Sequence, residues 1–257
     1  MAFALITGAS KGIGKAIAFE LAAKGYNLLL VARSEDLLRQ TGDEIKSRHA
    51  VQVHHFAIDL SAHDAAHTVF HFAQQNAIVV SVLVNNAGYG LSGPFENYSL
   101  EQHMNMLQVN CATLVQLTYL FLPQLKQQAN THILNIASSA AYQAVPYLSL
   151  YAASKALVLS FSRGLRYELR KTSVNITCVC PGSTDTDFSV RAKVGEKAMK
   201  TAEKVNMTPE QVGKAAVNAM LNRKAEVITG AINKLGGFLT WLLPKKVLEG
   251  GAARIYE

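Results

Sequence analysis

The stretch Phe3–Gly14, FALITGASKGIG, decides how the chain is read: a short, mostly apolar run breaks into a glycine-rich turn, and a helical pattern starts inside the turn. Gly8, Gly12 and Gly14 are spaced G-x-x-x-G-x-G, and Ile13, Ile17, Leu21 and Ala22 follow at three-to-four-residue intervals, the period of an amphipathic helix. Glycine lets the backbone turn tightly and lets a bulky anion come close. The first turn of a helix adds unpaired N–H groups and the positive end of a dipole. A strand, a glycine turn and a helix in that order satisfy the structural condition for cradling a pyrophosphate. On spacing alone the glycines would also suit a plain tight turn.

The same unit recurs outward from this stretch. Asn27–Ala32, NLLLVA, is a continuous apolar strand, and Ser34 reads as a helix N-cap with Glu35 and Asp36 in the first turn and Leu37, Leu38 and Ile45 on the buried face. Further strands are expected at Val51–Ile58, Val80–Val84, His132–Ile136, Val174–Cys180 and Glu226–Thr229. Helices are expected at Ser61–Gln75 (capped by Ser61, with Asp64 at its third position), Ser99–Leu122 (stopped near Pro123), Leu150–Arg170 and Pro209–Leu221. Apolar strands alternating with helices mean a parallel sheet covered on both faces. Seven such strands predict an α/β, doubly wound, Rossmann-type sheet, whose ligand sits beyond the carboxyl ends of the strands.

Composition sets the outer limits. The chain has 257 residues, 49% hydrophobic and 17% charged, with scattered prolines and no repeat or low-complexity tract, so one domain is expected over residues 1–257. The formal charge of +7 carries no interleaved basic–aromatic patch, so no nucleic-acid partner is expected. Arg163, Arg166, Arg170 and Lys171 have helical spacing and read as a solvated helix face. The three cysteines contain no CxxC pair; Cys178 and Cys180 share one face of a strand and are poorly placed to bridge, so buried thiols and no metal site are expected. The chain starts without a basic and then apolar leader, and no apolar run approaches the roughly 20 residues of a membrane span; the cytoplasm is the expected location.

The end of the second strand speaks to cofactor choice. A site preferring NAD places an acid there, about 20 residues beyond the glycines, to bond the ribose 2′-hydroxyl. This chain has Arg33, whose planar fork suits a 2′-phosphate, and Ser10 and Lys11 in the glycine loop are within reach of the same group. Glu35 and Asp36 nearby are read as partners of a helix N-terminus.

Tyr151 and Lys155 stand four apart at the start of a helix, in YAASK, which puts both on one face. A phenol has an ordinary pKa of about 10, and an adjacent ammonium lowers it. Such a phenol can protonate a carbonyl oxygen as hydride arrives at carbon, and take the proton back in oxidation. Ser138 lies at the end of a strand, in NIASS, where its hydroxyl faces the expected crevice and can hold the same oxygen. Ser139 is adjacent, so the choice between the two serines rests on spacing.

TGASKGIG at Thr7–Gly14, Asp59 with Leu60, NNAG at Asn85–Gly88, Asn110, Ser138, YAASK at Tyr151–Lys155 and Pro181-Gly182 together resemble the short-chain dehydrogenase/reductase family, in the family's order across most of the chain. The resemblance implies an NADP(H)-dependent oxidoreductase of a carbonyl or alcohol, working as a homodimer or homotetramer packed through its long helices. It implies that Gly8, Ser10, Lys11, Gly12, Ile13, Gly14 and Arg33 hold the cofactor's phosphates, and that Asp59 and Leu60 border the adenine. Asn86, Ala87 and Gly88 would line the adenosine ribose and hold the central sheet. Asn110 would interrupt its helix and anchor a water linking Lys155 to solvent. Ser138, Tyr151 and Lys155 would complete the active site, Lys155 also binding the nicotinamide ribose, and Pro181, Gly182, Thr184 and Thr186 would border the carboxamide. The alternative from another class is a module that senses NADP(H) without turnover; the intact Asn110, Ser138, Tyr151 and Lys155 set argues against it.

By the same resemblance, residues 187–207 are the substrate lid, and Tyr142, Val145, Pro146 and Tyr147 border a pocket. These side chains favour a hydrophobic ketone, aldehyde or 3-oxoacyl substrate, with the lid lysines a reason to consider an anionic one. The tail, residues 235–257, carries FLTWLL followed by Pro244-Lys245-Lys246. It is read first as a subunit contact or pocket cover, and second as a peripheral membrane contact.

Overall fold

In the computed structural model, which describes residues 2–185 and 206–256 together with Ala192, Gly195 and Met199, the strands lie in a single parallel sheet. They are β1 (Phe3–Thr7), β2 (Asn27–Ala32), β3 (Val53–Ala57), β4 (Val80–Asn85), β5 (Thr131–Ile136), β6 (Val174–Cys180) and β7 (Glu226–Ile228), in the order β3-β2-β1-β4-β5-β6-β7. Every residue of β1, β2, β4 and β5 is buried, as continuous apolar strands in the middle of a two-sided sheet must be, whereas the edge strands β3 and β7 are half-buried.

The period of two along each strand divides the core. Ala4, Ile6, Leu28, Leu30, Val82 and Val84 point to one face, under α1 (Gly12–Ala22), α2 (Glu35–Arg48) and a helix at Pro209–Leu221. Leu5, Leu29, Val31, Leu83 and Ile133 point to the other, under α3 (Ala65–Gln75) and a helix at Thr113–Lys126. The chain winds outward from β1 to β3 and returns to β4, so β1 and β4 are neighbours whose connections leave in opposite directions. The crevice at their carboxyl ends is where a doubly wound sheet takes its ligand.

Two of the expected helices differ from their expected form. α3 starts at Ala65 with Asp64 before it, and Ser61 does not cap it: the Ser61 amide donates to Asp59 Oδ1 at 3.0 Å, which holds residues 59–62 in a turn of their own. The helix expected at Ser99–Leu122 consists of α4 (Leu100–Leu107), one π-helical turn at Gln108–Ala112, and α5 (Thr113–Lys126), with Pro123 inside it. The proline leaves only the carbonyl of Tyr119 without an intrahelical donor, and Tyr119 is exposed, so water can take that place and the helix continues. Ser99 does cap α4, in a box with Gln102. The rod Leu100–Lys126 is long and apolar enough to cross a membrane by length and composition, but Leu117, Phe121 and Leu125 are locked into the sheet's core.

Among the described residues, the remaining α-helices are α6 (Ser149–Glu168), α7 (Pro209–Leu221), α8 (Ala231–Leu242) and α9 (Lys245–Tyr256). The arginines of α6 do more than face solvent: Arg163 pairs with Glu226 at 2.6 Å, and Arg166 donates to the carbonyls of Ile176 and Arg223. The three cysteines are buried and unbridged, as expected.

Candidate active site

The glycine loop is built by close approach. Gly8 has φ +66° and Gly12 φ +54°, a region that costs a side-chain-bearing residue strain, and a Cβ on Gly14 would lie 2.2 Å from the carbonyl oxygen of Gly8. Thr7 and Asn86 brace this loop across the β1/β4 boundary. The amides of Asn86 and Ala87 both donate to Thr7 Oγ1 at 3.0 Å, and Asn86 Nδ2 donates to the carbonyl of Thr7 at 2.9 Å. α1 begins at Gly12 with no side-chain cap and no acid in its first turn, so its N-terminal amides remain for an anion. The loop therefore fits a dinucleotide pyrophosphate.

Arg33 and Asp59 sit at the rim of the same crevice. The Ala9 amide donates to Val31 at 3.3 Å, which brings the loop carrying Ser10 and Lys11 against the strand end that leads to Arg33. The Ile58 amide donates to Ala32 at 2.9 Å, which brings Asp59 beside that end, and both Arg33 and Asp59 are exposed. Leu60 is buried, with its carbonyl accepting from Thr113.

Across the crevice, Asn110, Ser138, Tyr151 and Lys155 converge. Asn110 lies in the π-helical turn and is buried; its Oδ1 accepts from the Tyr89 amide at 3.0 Å, while Nδ2 donates to the Tyr89 carbonyl at 2.9 Å and to Ser154 Oγ at 3.0 Å. A Cβ on Gly88 would fall 3.0 Å from Asn110 Oδ1 and 3.2 Å from Lys155 Nζ, so a larger residue there would press on both side chains. Lys155 Nζ donates to the Ile136 carbonyl at 2.9 Å. Ser138 stands two residues beyond the end of β5, accepts from the Ala140 amide at 3.1 Å, and hydrogen-bonds to Tyr151. The 3-10 turn Ser139–Tyr142 leads away from it, so Ser138 is the serine at the phenol.

Electrostatics correct one expectation. The net shift of Tyr151 is upward: burial pushes the phenol up to about 12, against the Ser138 hydrogen bond, and Tyr256 pushes it in the same direction as burial. Lys155 itself is pushed down to about 8 by burial, with the nearby Cys111, Cys178 and Cys180 working the other way. The physical cause is a cover. Ala252 and Tyr256 of α9 pack with Met106, Val145, Leu148, Tyr151 and Ala152. Sequence patterns do not reveal this contact, which spans about a hundred residues of chain between two helices with no shared period.

The expected substrate side divides. Tyr142 is not in the pocket: its hydroxyl donates to Glu226 of β7 and its ring packs against the cluster of Leu114, Ala137, Val158, Cys178 and Cys180. The turn at Ser139–Tyr142 rotates it towards β6 and β7, and the burial and the carboxylate push its pKa up. Val145 is buried beside Tyr151. Pro146 and Tyr147, with Leu91, Met106, Leu150 and Ala253, line a cavity of about 480 Å³, and Tyr147 takes φ +64° there. On the β6 side, the Pro181 carbonyl accepts from the Ser139 amide at 2.7 Å, and a Cβ on Gly182 would collide with Asn233. Thr184 pairs with Met207 in an isolated parallel bridge. Thr186 and most of the expected lid at 187–207 lie outside the described residues.

The family model for short chain dehydrogenases matches residues 2–197. The chain belongs to that family. Ketoacyl reductase HetN of Nostoc is 34% identical over 227 residues, covering 87% of this chain and 77% of that one. Sulfoacetaldehyde reductase 2 of Chromohalobacter salexigens is 34% identical over 209 residues, covering 80% and 82%. A short-chain dehydrogenase from Sphingobium yanoikuyae in complex with NADPH superposes with a TM-score of 0.82 at 28% identity, over 94% of this chain and 95% of that one. As a short-chain dehydrogenase, the chain is an oxidoreductase.

Proposed function

We propose that this short-chain dehydrogenase is an NADP(H)-dependent oxidoreductase that interconverts a hydrophobic carbonyl compound and its alcohol, with Tyr151 as acid and base. The observation that carries the reading is the placing of Ser138 and Lys155 around Tyr151 at the carboxyl end of β5, across the crevice from the glycine loop. An NADPH-oxidation screen over ketones, aldehydes and 3-oxoacyl thioesters tests it; no turnover of any carbonyl compound would contradict it.

When bound, the nicotinamide supplies or accepts the hydride at the substrate's carbon. Tyr151 gives its phenolic proton to the carbonyl oxygen in reduction and recovers one from the alcohol in oxidation. Ser138 hydrogen-bonds the same oxygen and fixes its direction. Lys155 would stabilise the phenolate left behind and hold the nicotinamide ribose, and Asn110, which fixes the backbone at Tyr89 beside Lys155, would support the return of a proton from solvent. Burial raises the phenol, so the donor is in its protonated form at neutral pH, as the reduction step requires.

The cavity of about 480 Å³ is of ligand size; its apolar side, Leu91, Met106, Pro146 and Leu150, is in keeping with a hydrophobic substrate, while Glu96, His103 and Ser149 give it polar partners as well. The two relatives named as a ketoacyl reductase and a sulfoacetaldehyde reductase both point to carbonyl reduction.

Arg33 supports the NADP(H) preference. It stands where an NAD-type acid would repel a 2′-phosphate, beside Ser10 and Lys11. Arg33→Ala should weaken NADPH binding by roughly ten- to a hundredfold, the worth of a charge-assisted bond, with little change for NADH. Fluorescence titration of both cofactors checks this; equal affinities in the unmutated protein would contradict it.

The helical face supports self-association. Leu100 and Met104 on α4, Tyr119 on α5, and Leu157 and Tyr167 on α6 are exposed apolar residues on the two long helical rods. The expected assembly is a dimer or tetramer through these helices, and Tyr119→Glu together with Leu157→Glu should reduce the mass seen by light scattering at micromolar concentration. A monomer in the parent protein would contradict the assembly.

A further inference from the structure

α8 is amphipathic with its faces reversed. A surface helix of a globular protein turns its apolar stripe to the core. In α8 the residues turned to the protein are small or polar: Asn233 donates to the Thr229 carbonyl at 2.9 Å and presses on Gly182, and Gly237 sits so close to Ile228 that a Cβ would lie 2.7 Å from its Cδ1. Ile232, Leu235, Phe238, Leu239 and Leu242 fall on the opposite side at helical spacing, all exposed, and Trp241 is 88% exposed. No residue of α8 is buried.

The charges along this segment of chain have one sign. Lys234 lies within α8, Lys245 and Lys246 follow it, and no aspartate or glutamate occurs between Val227 and Leu248. An apolar stripe with an indole at its edge and lysines beside it matches the boundary between lipid headgroups and acyl chains: the apolar side chains enter the hydrocarbon, the indole rests at headgroup depth, and the ammonium groups meet anionic phosphates. Lysine is depleted from the cores of contacts between proteins, and the apolar face on α4, α5 and α6 already offers a separate surface for self-association.

We propose that α8, with Lys245 and Lys246, is an interfacial helix that docks the protein on an anionic membrane surface. The stripe lies in the plane of the surface rather than crossing it, since α8 has only 12 residues. The docking is independent of the catalytic reading and of cofactor.

Trp241 is the chain's single tryptophan, so its emission reports this face alone. On titration with vesicles of phosphatidylcholine mixed with phosphatidylglycerol, the emission should move to the blue and the protein should sediment with the lipid. Binding should be roughly tenfold or more weaker to phosphatidylcholine alone, and should fall as salt is raised. Leu235→Glu with Leu242→Glu should abolish the shift while leaving the melting temperature and NADPH binding in place. Lys245→Glu with Lys246→Glu, at two exposed positions, should weaken binding to the anionic vesicles without touching the apolar stripe. An unchanged Trp241 spectrum with anionic vesicles would overturn the proposal. So would a blue emission in vesicle-free protein whose mass falls in the Leu235→Glu, Leu242→Glu variant, because the face would then be a contact between copies of the chain.

Discussion

Lys155→Met should yield a protein that has lost at least about 10²-fold in turnover and yet is more stable than its parent near neutral pH without cofactor. Lys155 is buried, and its pKa falls from 10.5 to about 8 because burial disfavours the ammonium. The unfolded chain therefore binds more protons than the folded one between pH 8 and 10.5, and stability gained from this group rises with pH through that window. Below pH 8 the cost of burying the charge is present in full; above 10.5 it is gone. The shift corresponds to roughly 3 kcal/mol, from which the lost bond to the Ile136 carbonyl removes about 1 kcal/mol, so methionine should stabilise the cofactor-free protein by about 1–3 kcal/mol at pH 7. The gain should shrink as pH approaches 10.5; the raised Tyr151 pKa adds an opposite slope above pH 10 to parent and variant alike, so it cancels in their difference. Urea unfolding of parent and variant at pH 7 and near pH 10 measures both ends. A variant less stable than its parent at pH 7 would mean that the ammonium is fully compensated where it sits, and that the site stores no such strain. NADPH binding should weaken as well, since Lys155 is proposed to hold the nicotinamide ribose.

Most of the frame was legible because its signals are local. Continuous apolar runs such as Asn27–Ala32 and Val174–Cys180 leave few options but a buried parallel strand, and the observed bounds of both match the pattern. The cluster of candidate residues was legible because Tyr151 and Lys155 share a helix face and Ser138 lies just beyond a strand; short spacings survive folding unchanged. What escaped was set by distant contacts. Ser61 resembles an N-cap until Asp59 captures its amide, and Pro123 reads as a stop unless Tyr119 is known to face water. Tyr142 sits within the stretch that borders the pocket, but its place depends on Glu226, 84 residues on. The direction of the Tyr151 shift depends on α9: no pattern in residues 245–256 announces that Tyr256 covers the catalytic phenol. α8 was hard to read for the opposite reason. Its apolar period is plain, but a helical stripe is ordinarily taken to face the core, and here it faces outward.

The central claim is that Tyr151 is the proton donor. Tyr151→Phe keeps the ring and its packing with Met106, Val145, Leu148 and Tyr256, and removes only the hydroxyl that meets Ser138. Burial favours the neutral form of the phenol, so its loss should not destabilise the fold through charge, and a melting temperature near the parent's is the control. The glycine loop, Arg33 and Lys155 are untouched, so NADPH should bind nearly as before. The decisive measurement is steady-state NADPH oxidation by Tyr151→Phe with a carbonyl compound that the parent reduces, alongside NADPH titration of the same sample. Turnover lower by about 10²–10⁴-fold with NADPH affinity nearly unchanged is the predicted result; near-full turnover in that variant would contradict the proposed chemistry even with the fold intact.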